Sequence, residues 1–160
     1  MKTKSTVFSI VAVAILLVAA YSGIAQSGGN VAVVVNPANP IDNITAADLH
    51  KIYAGDKSSW GGGLIVAAFV RTAPSHERDV LLKAIMKMTD SQYQEAWVKK
   101  IYSGAAAHEP LALPSNSMQL EAVRSQKGGI AFIAASEVKD GVKVIKVDGV
   151  APGGAGYSLK

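Results

Sequence analysis

Cysteine is missing from all 160 residues. Its absence excludes disulfide staples, thiolate metal sites, thiol nucleophiles and a lipid-bearing N-terminal cysteine. The three histidines, His50, His76 and His108, are scattered without metal-ligand spacing. Gly61-Gly62-Gly63 lacks the Lys-Ser/Thr that would make a nucleotide phosphate loop, and no Gly-x-Ser-x-Gly elbow occurs. No stripe of lysine and arginine interleaved with aromatics runs along the chain, so there is no nucleic-acid signature. These gaps point away from an enzyme, a metal, a cofactor and a nucleic-acid partner.

What is present begins with a leader pattern. Lys2 and Lys4 form a short basic start, and Val7 to Ala20 is an almost unbroken apolar run. Gly23 and Ala25 then supply small residues at the −3 and −1 positions of a cleavage point before Gln26. That is the grammar of a cleavable secretory signal over residues 1–25. Thr6 to Ala25 also has about the length of a bilayer-crossing helix, so an uncleaved N-terminal membrane anchor is the alternative. Cleavage leaves residues 26–160, a single domain of 135 residues with room for a core. Losing Lys2 and Lys4 lowers the formal charge from +4 to +2, so much of the basic character belongs to the leader. An exported chain without disulfides fits a bacterial periplasm.

Beyond the spacer at 26–30, apolar runs alternate with helical periodicity. Strands are expected at Val31–Val35, Leu64–Val70, Ile130–Ile133 and Val142–Val147, the last an edge strand carrying Lys143 and Lys146. A helix is expected to open at Thr45, with Leu49, Ile52 and Tyr53 on its buried face, and to stop at Gly55. A second opens at Ser75 with Val80, Leu81, Ile85 and Met88. A third follows Thr89-Asp90, burying Tyr93, Ala96, Trp97, Ile101 and Tyr102. The fourth is capped in Ser115-Asn116-Ser117 and carries Met118, Leu120 and Val123. Residues 105–114 and the Gly/Pro-rich tail read as loop. The pattern predicts an α/β fold, a three-layer sandwich around a mostly parallel sheet of about four to five strands.

The segment with most chemical promise is Arg71-Thr72-Ala73-Pro74-Ser75-His76-Glu77-Arg78. Ser75 stands at a helix N-cap, where unpaired N–H groups and the positive end of the peptide dipole can hold an oxyanion, with an arginine on either side. The plainer alternative is that Ser75 only caps a helix and the arginines are solvated. The candidate anion-binding set is Arg71, Ser75, His76, Glu77 and Arg78.

An ordered series of residues carries a family resemblance. Val34-Val35-Asn36-Pro37-Ala38-Asn39-Pro40, Ile44-Thr45, Leu49 and Ile52-Tyr53-Ala54-Gly55-Asp56-Lys57 with Trp60 open it. Arg71 with Ser75 and Arg78, Tyr93, Trp97, Tyr102-Ser103-Gly104, Pro110, Gly128-Gly129-Ile130-Ala131-Phe132-Ile133 and Val142-Lys143-Val144-Ile145 continue it. Over about 130 residues the chain resembles phosphate-binding proteins of ABC-type phosphate transporters, in particular short single-lobe members of this periplasmic-binding-protein-like group (type II). The resemblance implies a periplasmic phosphate- or oxyanion-binding domain linked to phosphate uptake or sensing, with a membrane permease or sensor as partner.

Two departures qualify it. Full-length members have two lobes, and residues 26–30 cannot supply the missing one. The family's Arg…Ser-Gly-Thr-Arg segment reads here as Arg71…Ser75-His76-Glu77-Arg78, so Arg71, Ser75 and Arg78 carry over while the Gly and Thr do not. His76 adds bulk where an oxyanion would approach the backbone. Glu77 suits a helix start but competes with a bound anion. The same carboxylate could instead accept the proton of monohydrogen phosphate and so reject sulfate. The expectation is weak binding by the monomer. The rival is an exported adaptor that has lost high-affinity binding and docks to a membrane sensor, transporter or envelope partner, and a homodimer that rebuilds the clamp lies between the two.

Overall fold

The computed structural model describes residues 29–160. The leader, with its cleavage or anchoring, lies outside them. The first strand, β1 (Val31–Val35), is buried on both faces, and this is why its five residues are all apolar rather than alternating. The chain then forms β2 (Asn43–Ile44), α1 (Ala46–Tyr53), a hairpin of β3 (Ser59–Gly61) and β4 (Leu64–Ile65), and β5 (Ala67–Arg71). After β5 come α2 (His76–Val80), which continues as a π-helical segment over Leu81–Met86, then α3 (Asp90–Tyr102), β6 (Leu111–Leu113), α4 (Asn116–Ser125), β7 (Gly129–Ala134), a 3-10 turn (Ala135–Glu137) and β8 (Lys143–Val147).

Six strands form one sheet in the order β2-β8-β1-β7-β5-β6. The pairs β2–β8, β7–β5 and β5–β6 are parallel, while β1 runs antiparallel to both β7 and β8. Five strands therefore share one direction and β1 opposes them, so the sheet is mixed and mostly parallel, as expected. The strand count exceeds the expectation because β2 and β6 are too short to show a period. The run Leu64–Val70 divides at Val66 into a hairpin arm and a core strand. β8 is an inner strand, not the edge: β2 covers part of it, and Lys143 donates from Nζ to the Asn39 carbonyl (2.7 Å) and Asp42 Oδ1 (2.9 Å).

Each face of the sheet meets helices. Val31, Val33, Val35, Ile130, Phe132 and Ile145 pack with Leu49, Tyr53, Leu81, Ile85 and Trp97 on the side of α1, the π segment and α3. Ala32, Val34, Phe69, Ala131 and Ile133 pack with Leu120 and Val123 of α4 on the other. All four helices start at the expected hydroxyl caps, Thr45, Ser75, Thr89 and Ser115. α1 ends at Gly55, whose φ of +77° is open to glycine and whose missing Cβ leaves space for the Trp97 ring. α3 buries Tyr93 and Trp97 only: Tyr102 is 88% exposed, and Ala96 and Ile101 also face solvent, because the helix contacts the core along two turns and projects beyond it. Met118 likewise points outward. The Gly/Pro-rich tail forms no strand, yet it is a structural lid. The Tyr157 hydroxyl donates to the Val31 carbonyl (2.7 Å), the Val31 N–H donates to the Leu159 carbonyl (3.0 Å), and both tail side chains are buried.

Burial pushes the Tyr93 and Tyr157 phenols up to about 12 and Tyr53 upward as well, since desolvation opposes the phenolate. The neutral phenols thus stabilise the folded state fully below pH 10. The unfolded tyrosines ionise first, so stability is lost as pH rises through 10 to about 12, with Tyr93 contributing about 2 kcal/mol and the less deeply enclosed Tyr157 less. Urea midpoints should fall steeply over that window, and less steeply in Tyr157→Phe. A variant with the same alkaline slope would assign the loss to other groups.

Candidate anion-binding site

The candidate segment lies at the carboxyl ends of parallel β5 and β6, the region where open α/β sheets place ligands. β5 ends at Arg71, the Thr72 N–H donates to the Leu113 carbonyl of β6 (3.0 Å), and the chain crosses to α2 at Ser75. Ser75 is extended (φ −158°, ψ 149°), and its Oγ accepts the Arg78 N–H at 3.3 Å, which makes it an N-cap. α4 begins nearby, capped by Ser115 Oγ accepting from the Met118 N–H at 3.1 Å.

The side chains divide into two groups. In the first, Glu77 is only 6% exposed and faces inward. Its Oε1 accepts from Asn116 Nδ2 at 2.5 Å, and its Oε2 lies 3.7 Å from Arg71 Nε. The Arg71 side chain is largely buried, and among the described residues neither its Nε nor its Nη1 has a hydrogen-bond partner. A guanidinium fork in that state carries unused donors, and the Glu77 charge nearby offsets only part of their desolvation. Behind Asn116, Gln119 is fully buried, donating from Nε2 to the Phe132 carbonyl at 2.9 Å while its Oε1 has no partner among the described residues.

The second group centres on Arg78, which points elsewhere. Its Nε donates to Asp90 Oδ1 at 2.5 Å, its Nη1 donates to the Arg71 carbonyl at 3.1 Å, and its guanidinium lies over the Tyr93 ring at 5.7 Å. Arg78 is buried and fastens α2 to α3 and to the end of β5. His76 lies beside the start of the described chain, with Nε2 3.0 Å from the Gly29 carbonyl. The structure thus sets Arg71 beside Glu77, keeps Ser75 at the helix cap, places His76 against the Gly29 carbonyl, and turns Arg78 toward Asp90. A groove of about 500 Å³ reaches Arg78, between α3 and the β5–β6 edge, without touching Arg71 or Glu77.

Sequence reasoning missed Asn116, Gln119 and Asp90. Asn116 looked like part of a helix cap. Its spacing from Gln119, Leu120 and Val123 was the available signal, since that places it on the buried face of α4. Among the described residues no group of three His, Asp or Glu could hold a metal ion, and no helix is long and apolar enough to cross a membrane.

No family model and no curated protein matches the chain. Solved structures do match. An ABC-type phosphate transport receptor from Vibrio cholerae superposes with a TM-score of 0.60 at 25% identity, over 77% of this chain and 48% of that one. A structure from Clostridium perfringens, described as a phosphate ABC transporter substrate-binding protein with bound phosphate, gives 0.62 at 20% identity, over 77% and 46%. PstS from Borrelia burgdorferi gives 0.59 at 19% identity, over 77% and 49%. The chain spans about half the length of the structures it matches. The resemblance read from the sequence therefore holds in three dimensions: the described domain has the fold of one half of a phosphate ABC transporter substrate-binding protein. The first two of these structures are described as a transport receptor and a substrate-binding protein.

Proposed function

We propose that this protein is an exported, periplasmic oxyanion-binding lobe that takes phosphate weakly, with Arg71 as its charge partner and Ser75 and the first turn of α2 beside it. The reading is carried by one observation, the largely buried Arg71 guanidinium whose Nε and Nη1 lack acceptors among the described residues. The fold shared with phosphate-binding proteins supports it, and the leader pattern supports export. A permease or sensor of a phosphate uptake system is the partner that follows. The affinity is bounded by ligand size: five heavy atoms at about 1.5 kcal/mol each give a ceiling near 7.5 kcal/mol, whereas micromolar binding needs about 8.2 kcal/mol. The described lobe on its own leaves one side of the ion in water and falls well short, in the high-micromolar to millimolar range as an order of magnitude.

The test is thermal unfolding with and without phosphate. Phosphate at about fifty times a millimolar Kd should stabilise the protein by about 2 kcal/mol, a rise of several degrees in Tm. The rise should exceed that in ionic-strength-matched chloride and vanish in Arg71→Ala. An unchanged Tm in phosphate would favour the second reading, an adaptor that docks to an envelope partner. The inward-facing Glu77 carboxylate is the observation that favours this alternative, because it already lies against Arg71.

A further inference from the structure

Glu77 is the least expected residue of the site. Glutamate is almost never fully buried unless paired, and here it is buried on the first turn of α2 beside Arg71 and Asn116. Its surroundings are those that would receive an external oxyanion: a guanidinium 3.7 Å from one oxygen and an amide N–H donating to the other at 2.5 Å. The pairing with Arg71 is loose. At 3.7 Å the charges attract, but no hydrogen bond forms, and the guanidinium keeps both buried donors unused. A carboxylate evolved only to neutralise Arg71 would gain most from a bidentate contact, which this one does not make.

We infer that the Glu77 carboxylate is a built-in occupant of the Arg71 anion seat, a tethered ligand that external phosphate or sulfate must displace or repel. The inference rests on the oxyanion-binding reading and deepens it by naming the residue that sets affinity. A like charge within a few ångströms of an incoming dianion opposes it strongly in a partly dry site, and tethering gives the internal carboxylate a large effective concentration. Weakness then has a cause beyond the single lobe. The occupant also discriminates little between oxyanions, because it repels charge rather than reading shape.

Glu77→Gln separates these possibilities. The amide keeps the length of the side chain and removes its charge. Calorimetric titration of the variant with inorganic phosphate should show a Kd lower than that of the unmodified protein by about tenfold or more, a difference of about 1.4 kcal/mol per factor of ten. Sulfate should gain equally, and Arg71→Ala added to Glu77→Gln should abolish both gains. Equal or weaker phosphate binding in Glu77→Gln overturns the inference. Weaker binding of phosphate alone would assign Glu77 the opposite task, accepting the proton of monohydrogen phosphate. If the unmodified protein responds to phosphate through Arg71 but Glu77→Gln gains nothing, the oxyanion reading stands and the occupant falls. If neither protein binds either ion, both fall. Should Glu77→Gln lose its fold by circular dichroism, Glu77→Ser offers a smaller neutral side chain, with the same gains expected and the same failures decisive.

Discussion

Gly128→Ala should destabilise the protein by about 3–5 kcal/mol, a large part of the 5–15 kcal/mol typical of a domain. A Cβ at this position would lie 1.7 Å from the Ile65 carbonyl oxygen and 2.9 Å from its carbon, and both are main-chain atoms that cannot rotate away. The Gly128 carbonyl also accepts from the Ala67 N–H and from Trp60 Nε1, each at 2.9 Å. Relieving the clash must therefore pull the β3–β4 hairpin and the start of β5 off the entry to β7. Overpacking alone costs about 1–3 kcal/mol, and each lost hydrogen bond adds about 1 kcal/mol. Denaturant unfolding should show a lower midpoint, with a red shift of Trp60 fluorescence before global unfolding. A loss under about 1 kcal/mol would mean that the hairpin moves freely, contrary to the close backbone approach.

Arg78→Ala should cost about 2–4 kcal/mol without needing any ligand. The guanidinium joins three elements by donating to Asp90 and to the Arg71 carbonyl and by lying over Tyr93. Asp90 is partly exposed and can rehydrate, so its ion pair contributes the smaller part. Packing against Tyr93 and the hydrogen bond to a buried-side carbonyl contribute the larger. Arg78→Lys should recover only part of the loss, since an ammonium cannot reproduce the fork. The comparison with Arg71→Ala is the informative one in urea and phosphate titrations. Arg78→Ala should lower stability while retaining a phosphate response, whereas Arg71→Ala should remove the response. The opposite pattern would move the anion seat to Arg78.

Much of the framework was legible because its causes are local. Hydroxyl residues at Thr45, Ser75, Thr89 and Ser115 announce helix starts through their own side-chain hydrogen bonds. Val31–Val35 and Ile130–Ile133 announce buried strands by continuous apolar character. The strands that escaped notice, β2, β3 and β6, have only two or three residues and exist through their neighbours: Trp60-Gly61-Gly62-Gly63 reads as a turn yet Ser59–Gly61 pairs with β4, and β6, mostly exposed, pairs with β5. The direction of β1 was equally hidden, because an apolar run carries no sign of parallel or antiparallel pairing. Tyr102 and Ile101 kept the helical period of Tyr93 and Trp97, yet the sheet ends before it reaches them.

The candidate site divides along the same line. Sequence by itself determined that Ser75 begins a helix, that Arg71 and Arg78 flank it, and that Glu77 sits in its first turn, since capping and dipole preferences act over a few residues. Tertiary structure decided the partners: Asp90 for Arg78, Asn116 for Glu77, and, among the described residues, no hydrogen-bond acceptor for Arg71 Nε and Nη1. Those contacts join residues 12 and 39 positions apart. Charge attraction and burial depend on distance in space, and only the folded sheet sets that distance.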